Sequence, residues 1–256
     1  MAHELAIDRS AWASRWRTRN TADKAFLSLG LLVTAVGAPV WPGGVVAGIV
    51  AALVALLWAR IPAGTWARII TAPTLFLLTG VVAVAISFGT TASVRALWTA
   101  GPFAITAPGL ARAGLLAGRG LAGMAAVILL AATTPVADLC DGLRRLKVPA
   151  ELVEIASLMY RLLFTFSATA GAIHDAQTAR LGTTTLPRRF RSAGLMTSRV
   201  FVLAWDRARR LESGLMGRGR IGSLRTVSKP RPHSPRFLLA SGALVIGTAV
   251  IGWWPW

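Results

Sequence analysis

Five stretches of this chain are apolar over lengths close to a bilayer crossing, and that feature restricts the fold more than any other. They are Ala25–Val40, Val45–Ala59, Trp66–Phe88, Gly109–Thr134 and Phe237–Trp253. A helix rises about 1.5 Å per residue, so about 20 apolar residues cross a hydrocarbon core about 30 Å thick. The first two runs are somewhat short, and Trp41-Pro42-Gly43-Gly44 between them makes a tight turn, so they read as a hairpin. Pro73 falls inside the third run. In a membrane bundle, neighbouring helices satisfy the carbonyl it frees, so a kink is expected rather than a break. The pattern predicts an all-α integral membrane protein with about five transmembrane helices. Four lie within residues 25–137 and the fifth within 236–256.

Charge sorts the remaining segments. The chain is 54% hydrophobic yet carries a net charge of +18. No Asp or Glu lies between Asp23 and Asp138. A basic balance of this kind suits either a nucleic-acid-binding module or loops held on the cytoplasmic side of a membrane. The apolar runs decide for the second, which makes membrane lipid a partner and nucleic acid not one. Residues 1–24 hold Arg9, Arg15, Arg17, Arg19 and Lys24, without the apolar core of a secretory signal. They read as a cytoplasmic N-terminal segment, with Trp12 and Trp16 suited to a membrane interface. Gly89–Pro108 is turn-rich and reads as an outside or re-entrant loop. In the fourth run, Gly114 and Gly118 have the spacing that lets helix backbones approach closely. Arg119 within that run reads as a side chain reaching for the outer interface, or as a contact with a partner subunit.

Residues 138–235 differ. Seven acidic residues fall there (Asp138, Asp141, Glu151, Glu154, Asp175, Asp206 and Glu212), among dense arginines. Ala150–Arg180 reads as one long helix opened by Pro149, and Arg188–Met216 as a second, with Asp206 placed to pair with Arg210. Leu152–Ile173 is apolar nearly all round, so it must be buried against other helices or cross the membrane. A crossing there would make six spans and put the segments that follow outside, so a cytoplasmic platform is preferred. Residues 218–236 form a basic, proline-containing linker, and the closing tryptophans 253, 254 and 256 read as an interfacial anchor.

Several chemistries lack their residues. No G-x-x-x-x-G-K-[ST] occurs, so the chain carries no P-loop for ATP. The first four spans hold no carboxylate for an ion relay. No His, Cys, Asp and Glu cluster has metal-ligand spacing, and the single Cys140 excludes an internal disulfide. No catalytic residue, metal site or cofactor is expected in this chain. What stands out is a pair of arginines at successive helix ends. Arg180 is followed by Leu181 and Gly182, with Gly182 suited to the left-handed C′ position and Pro187 to a stop. Arg218 sits between Gly217 and Gly219. Each could be an ordinary cation at a helix C-terminus. Each is also an uncovered guanidinium able to pair bidentately with a carboxylate on another protein.

The residues around these arginines resemble a known family. Leu143–Pro149, Met159-Tyr160-Arg161, Ala176–Gly182 and Asp206–Gly219 are similar to the matching segments of the transmembrane T component of energy-coupling factor (ECF) ABC transporters, most of all the cobalt/nickel branch. The likeness covers about a third of the chain. It departs from the family pattern at Leu181, where glycine is usual, and at Gly217, where alanine is usual. Arg220-Ile221 also stands where an aromatic and an acidic residue are common. The resemblance implies a non-catalytic coupling subunit of an importer in a multi-pass cell-membrane setting. Two cytoplasmic ABC ATPase subunits, which bind ATP and Mg, would receive Arg180 (with Ala179, Leu181 and Gly182) and Arg218 (with Gly217 and Gly219). Met159, Tyr160 and Arg161 would face a substrate-binding S component, and cobalt or nickel would be the cargo. Two other readings stay open: a T component for a vitamin such as biotin, and a stand-alone membrane carrier or enzyme using Arg112, Arg119 or Arg161 on an anionic substrate.

Overall fold

The computed structural model describes residues 10–38, 41–88, 96–100, 103–219 and 231–253. Arg95, most of the basic linker (220–230), the first nine residues and the closing 254–256 lie outside them. The chain forms two compact units. One is Ala2–Leu139 with Lys229–Trp256, and the other is Cys140–Ser228.

The first unit is a helical bundle. Its helices are α1 (Thr21–Gly37), α2 (Trp41–Leu53, continued by a π-helical stretch Val54–Trp58), α3 (Ala63–Ala85), α4 (Ala107–Thr133) and α8 (Pro235–Trp253). Local chemistry sets their starts. The Asn20 side chain accepts from the Ala22 amide at 3.0 Å and caps α1. The Thr106 hydroxyl does the same for Gly109 at 3.2 Å, ahead of α4. α3 continues through Pro73, as expected of a bundle helix. α4 is central and packs against α1, α2 and α3. Its Ala122, Ala125, Ala126 and Leu129 join Leu27 and Leu31 of α1 and Ala51 and Ala55 of α2 in the buried interior.

Small residues make these contacts close. A side chain added at Gly48 would come within 3.2 Å of the Ala122 Cα. One at Gly44 would come within 3.2 Å of the Arg119 amide nitrogen. Gly44 and Gly48 form a GxxxG pair on α2 that sets the α2–α4 distance. At Gly43 an added Cβ would lie 2.6 Å from the Gly252 Cα, so α2 and α8 touch backbone to backbone.

Four helices are long and apolar enough to cross a membrane by length and composition: α3, α4, α8 and the helix Ala150–Ala179 of the second unit. Of the five runs expected to span, Ala25–Val40 and Val45–Ala59 fall on the shorter helices α1 and α2. α3 presents Leu75, Phe76, Leu78 and Val82 outward, the surface a lipid-facing helix needs. The chain is an all-α multi-pass membrane protein with one small exception. Ile86–Phe88 (β1), Ala96–Ala100 (β2) and Phe103–Thr106 (β3) form an antiparallel sheet in the order β1-β3-β2. Ile86 pairs with Ile105, and Ala100 with Phe103. A loop of turns alone was expected there. Its β-branched and aromatic residues favour the extended pairing.

Two further expectations change. Trp16 is not an interfacial side chain: it is buried edge-on against Trp58 at 5.3 Å and Phe237 at 5.1 Å. Arg119 turns back onto its own bundle. Its Nε and Nη2 donate to the Ala38 carbonyl at 3.2 and 2.5 Å, closing the C-terminal end of α1.

A polar latch, with no local signature in the sequence, joins the two ends of this unit. Asp23, 1% exposed, pairs with His233 Nδ1 at 2.7 Å and accepts from the Ser234 amide at 3.1 Å. Asn20 donates to the Arg231 carbonyl at 2.8 Å, and Arg231 pairs with Asp138 at 2.5 Å. Lys24 donates to the Thr133 carbonyl at 3.0 Å.

α5 (Val136–Arg145) carries the chain into the second unit, which holds α6 (Ala150–Ala179) and α7 (Leu186–Met216). Pro149 caps α6 and Pro187 lies in the first turn of α7. Pro187 therefore starts a helix rather than stopping one: its fixed φ suits a first turn and its missing N–H costs nothing there.

Candidate functional site

Arg180 and Arg218 flank α7. Arg180 closes α6 a few residues before α7 begins, and Arg218 follows directly on the end of α7. At about 1.5 Å per residue, the 31 residues of α7 hold the two tips about 45 Å apart along its axis. Both arginines are exposed. Among the described residues, neither guanidinium has a hydrogen-bond or ion-pair partner.

The first tip is a Schellman cap. The Gly182 amide donates to the Gln177 carbonyl at 2.8 Å, and the Leu181 amide to the Thr178 carbonyl at 3.0 Å. The left-handed residue is Leu181, with φ 58°, and not Gly182. The expectation placed glycine at C′ because glycine normally takes that conformation. Here Gly182 is needed for space: a Cβ on it would lie 2.8 Å from Ser192 Oγ and 2.9 Å from the Gln177 carbonyl oxygen. Ser192 belongs to α7, and its hydroxyl donates to the Gly182 carbonyl at 2.9 Å. Gln177 Nε2 returns a bond to the Ser192 carbonyl at 2.9 Å. Arg189 Nε donates to the Thr183 carbonyl at 2.7 Å. These bonds clamp the turn between α6 and α7, so Arg180 projects from a rigid corner. Ala179 and Leu181 beside it are exposed.

The second tip is simpler. The amides of Gly217, Arg218 and Gly219 donate to the carbonyls of Ser213, Leu215 and Met216 at 2.9, 3.2 and 2.9 Å. Gly217 keeps a helical backbone, and Gly219 takes the left-handed turn at φ 66°. Glycine is the residue that does so without strain. Among the described residues, nothing lies within 4 Å of where a Cβ on Gly219 would stand.

Met159, Tyr160 and Arg161 lie near the middle of α6. They stand about 30 Å along its axis from Arg180, so the structure does not join them to either tip. Met159 and Arg161 are exposed, and Tyr160 packs edge-on against Phe164 at 5.1 Å. α7 carries no buried residue. Its Phe201 and Trp205 stack at 6.5 Å with Arg209 over Trp205. Among the described residues Asp206 forms no ion pair with Arg210. Both are exposed, where such a pair contributes only about 0.2–0.5 kcal/mol. The Gln177–Ser192 brace escaped the sequence reading, since nothing in the spacing of those residues announces it.

Comparison with known proteins shows the family of the chain. The family model for the cobalt transport protein CbiQ matches residues 13–227. The cobalt transport protein CbiQ of Rhodobacter capsulatus is 39% identical over 233 residues, 91% of each chain. That of Salmonella typhimurium is 32% identical over 206 residues, 77% of this chain and 90% of the relative. A putative fused cobalt transport protein CbiMQ of Methanocorpusculum labreanum is 28% identical over 207 residues, 80% of this chain but 34% of that protein.

Proposed function

The chain belongs to the CbiQ family of cobalt transport proteins, and from that premise we propose that it is the coupling subunit of an ATP-driven importer. In this reading it links two cytoplasmic ABC ATPase subunits to a separate substrate-binding membrane subunit that takes up cobalt, or nickel. ATP and Mg belong to the ATPases, and this chain holds no cofactor of its own.

One observation carries the reading: two exposed arginines, with no side-chain partner among the described residues, flank a single 31-residue helix. A helix is a stiff spacer, so one socket cannot take both tips. Two separate sockets, one on each of two ATPase subunits, can. Arg180, with Ala179, Leu181 and Gly182, enters one. Arg218, with Gly217 and Gly219, enters the other. Each guanidinium gains carboxylate or carbonyl partners there. Closure of the ATPase dimer on ATP then pulls on both ends of α7. The clamp at Gln177, Ser192 and Gly182 passes the displacement into α6. Along α6, Met159, Tyr160 and Arg161 meet the substrate-binding subunit, and its reorientation releases the metal inward. The relative named as a fused transport protein, in which this chain's counterpart fills 34% of the length, supports a second membrane component working beside it.

The test is the pair Arg180→Glu and Arg218→Glu, singly and together. Loss of a charged partner at a buried contact typically costs about 2–5 kcal/mol. Each single variant is expected to weaken co-purification with the ATPases and to cut radioactive cobalt uptake, with membrane insertion unchanged. A double variant that keeps both would refute the docking role.

A further inference from the structure

The left-handed turn at the first tip is made by a leucine, and the fold gains nothing from that choice. A Cβ at positive φ crowds the following carbonyl, which is why glycine is the usual residue at C′. The two bonds that define the cap, Gly182 N–H to Gln177 O and Leu181 N–H to Thr178 O, are backbone bonds. They would form as well around glycine. The Leu181 side chain gives no burial in return, since it is 63% exposed. The second tip shows the unstrained alternative, with Gly219 in the same conformation. The first turn stays in its strained form because the clamp by Gln177, Ser192 and Gly182 over-determines it. Lys147 takes the same conformation at the end of α5, but there the exposed side chain is a charged one that water solvates. At Leu181 the strained position carries a large apolar side chain left outside the fold, beside Arg180, and that combination points to a contact made outside the chain.

We infer that Leu181 is the apolar half of a two-part plug, seated in an apolar depression of an ABC ATPase subunit beside the groups that bind Arg180. This rests on the docking reading above. The left-handed backbone fixes the direction in which the leucine leaves the turn, immediately next to the guanidinium, so charge and apolar surface reach the partner in one rigid geometry. A flexible side chain at the end of a frayed helix would lose conformational freedom on docking, and the clamped leucine loses little. The tips are therefore unequal. Arg180 comes with an oriented apolar neighbour, and Arg218 comes between two glycines.

The experiment measures the affinity of the detergent-solubilised full chain for the ATPase subunits that work with it, alongside its thermal unfolding. Leu181→Gly relieves the strain and removes the side chain. It is expected to raise the unfolding temperature while weakening ATPase binding about tenfold or more, the loss that follows when a leucine-sized contact is removed. Leu181→Ala keeps the strain and removes the contact, so it should weaken binding equally without the gain in stability. Opposite movement of stability and affinity in Leu181→Gly is something a merely structural residue cannot give. Affinity that rises or falls with stability across the two variants, or wild-type affinity in both, would overturn the inference. Arg180→Glu measured in parallel separates the two ideas. If it abolishes binding while both Leu181 variants bind normally, only the leucine's role fails. If it binds normally, the docking reading itself fails.

Discussion

Gly182→Ala tests whether the corner that presents Arg180 is as tightly built as its distances indicate. The backbone at Gly182 is not left-handed, so alanine meets no conformational penalty there, and the obstacle is space. The new methyl would sit 2.8 Å from Ser192 Oγ and 2.9 Å from the Gln177 carbonyl oxygen. The two neighbours respond differently. A serine hydroxyl can rotate away, at the loss of its 2.9 Å bond to the Gly182 carbonyl, about 1 kcal/mol. The Gln177 carbonyl is helix backbone and is the acceptor of the Gly182 amide itself, so it can retreat only by lengthening the bond that makes the cap. Overpacking typically costs about 1–3 kcal/mol. We expect about 2 kcal/mol, confined to the turn. Residue-resolved hydrogen exchange should then show the Leu181 and Gly182 amides exchanging about 30-fold faster, with the α1–α4 core unchanged. Adding Ser192→Ala should recover little, because the backbone contact dominates. Wild-type protection in Gly182→Ala would mean that the turn has room to spare, and the rigid corner would have to be abandoned.

Two further outcomes bear on the scaffold. Asp23→Ala removes the acceptor of the Ser234 amide and the buried end of the pair with His233, whose ring is itself 59% exposed and can turn to water, so it should cost about 1–2 kcal/mol as a lowered unfolding temperature in detergent; Asp23→Asn, which keeps an acceptor, should cost less. Gly194 lies in the interior of α7 with nothing within 4 Å of an added Cβ, so Gly194→Ala should stabilise the helix by about 0.5–1 kcal/mol. If α7 is a stiff spacer, metal uptake should be unchanged; a stabilised variant that loses uptake would show that the helix must bend at Gly194.

What the sequence revealed and what it hid divide along the range of the interactions. The helix start at Pro149 follows from backbone needs that are satisfied within a few residues, so spacing alone points to it; the Asn20 cap of α1 is equally local but falls ahead of the apolar run that marks the helix. The apolar runs that became α3, α4 and α8 are legible for a related reason, because solvation by lipid acts on each residue by itself. Most of what the sequence hid involves a partner farther along the chain, the local exception being Pro187, which opens a helix. Gly182 was read as a left-handed cap because that is glycine's commonest use. Its actual use depends on a hydroxyl ten residues on and a carbonyl on the preceding helix. The carbonyl that accepts from Arg119 lies 81 residues away, and nothing near Arg119 marks it. Asp23 and His233 are 210 residues apart, and nothing near either one marks the pairing.

The same division explains why the tips can be read more readily than the machinery behind them. A site that must enter another protein has to be exposed, and an exposed helix end is built from local rules. A site that must transmit force has to be braced, and braces are long-range. Gln177 to Ser192 and Ser192 to Gly182 tie α6 to α7 through two side chains whose residue types are common anywhere on a helix. Leu181 lies where the two kinds of constraint meet. By local rules it is the wrong residue for its backbone, and by burial it is the wrong residue for its surroundings. The inferred contact with an ATPase subunit would account for both departures at once, because a turn held by its neighbours aims an otherwise unrewarded leucine outward.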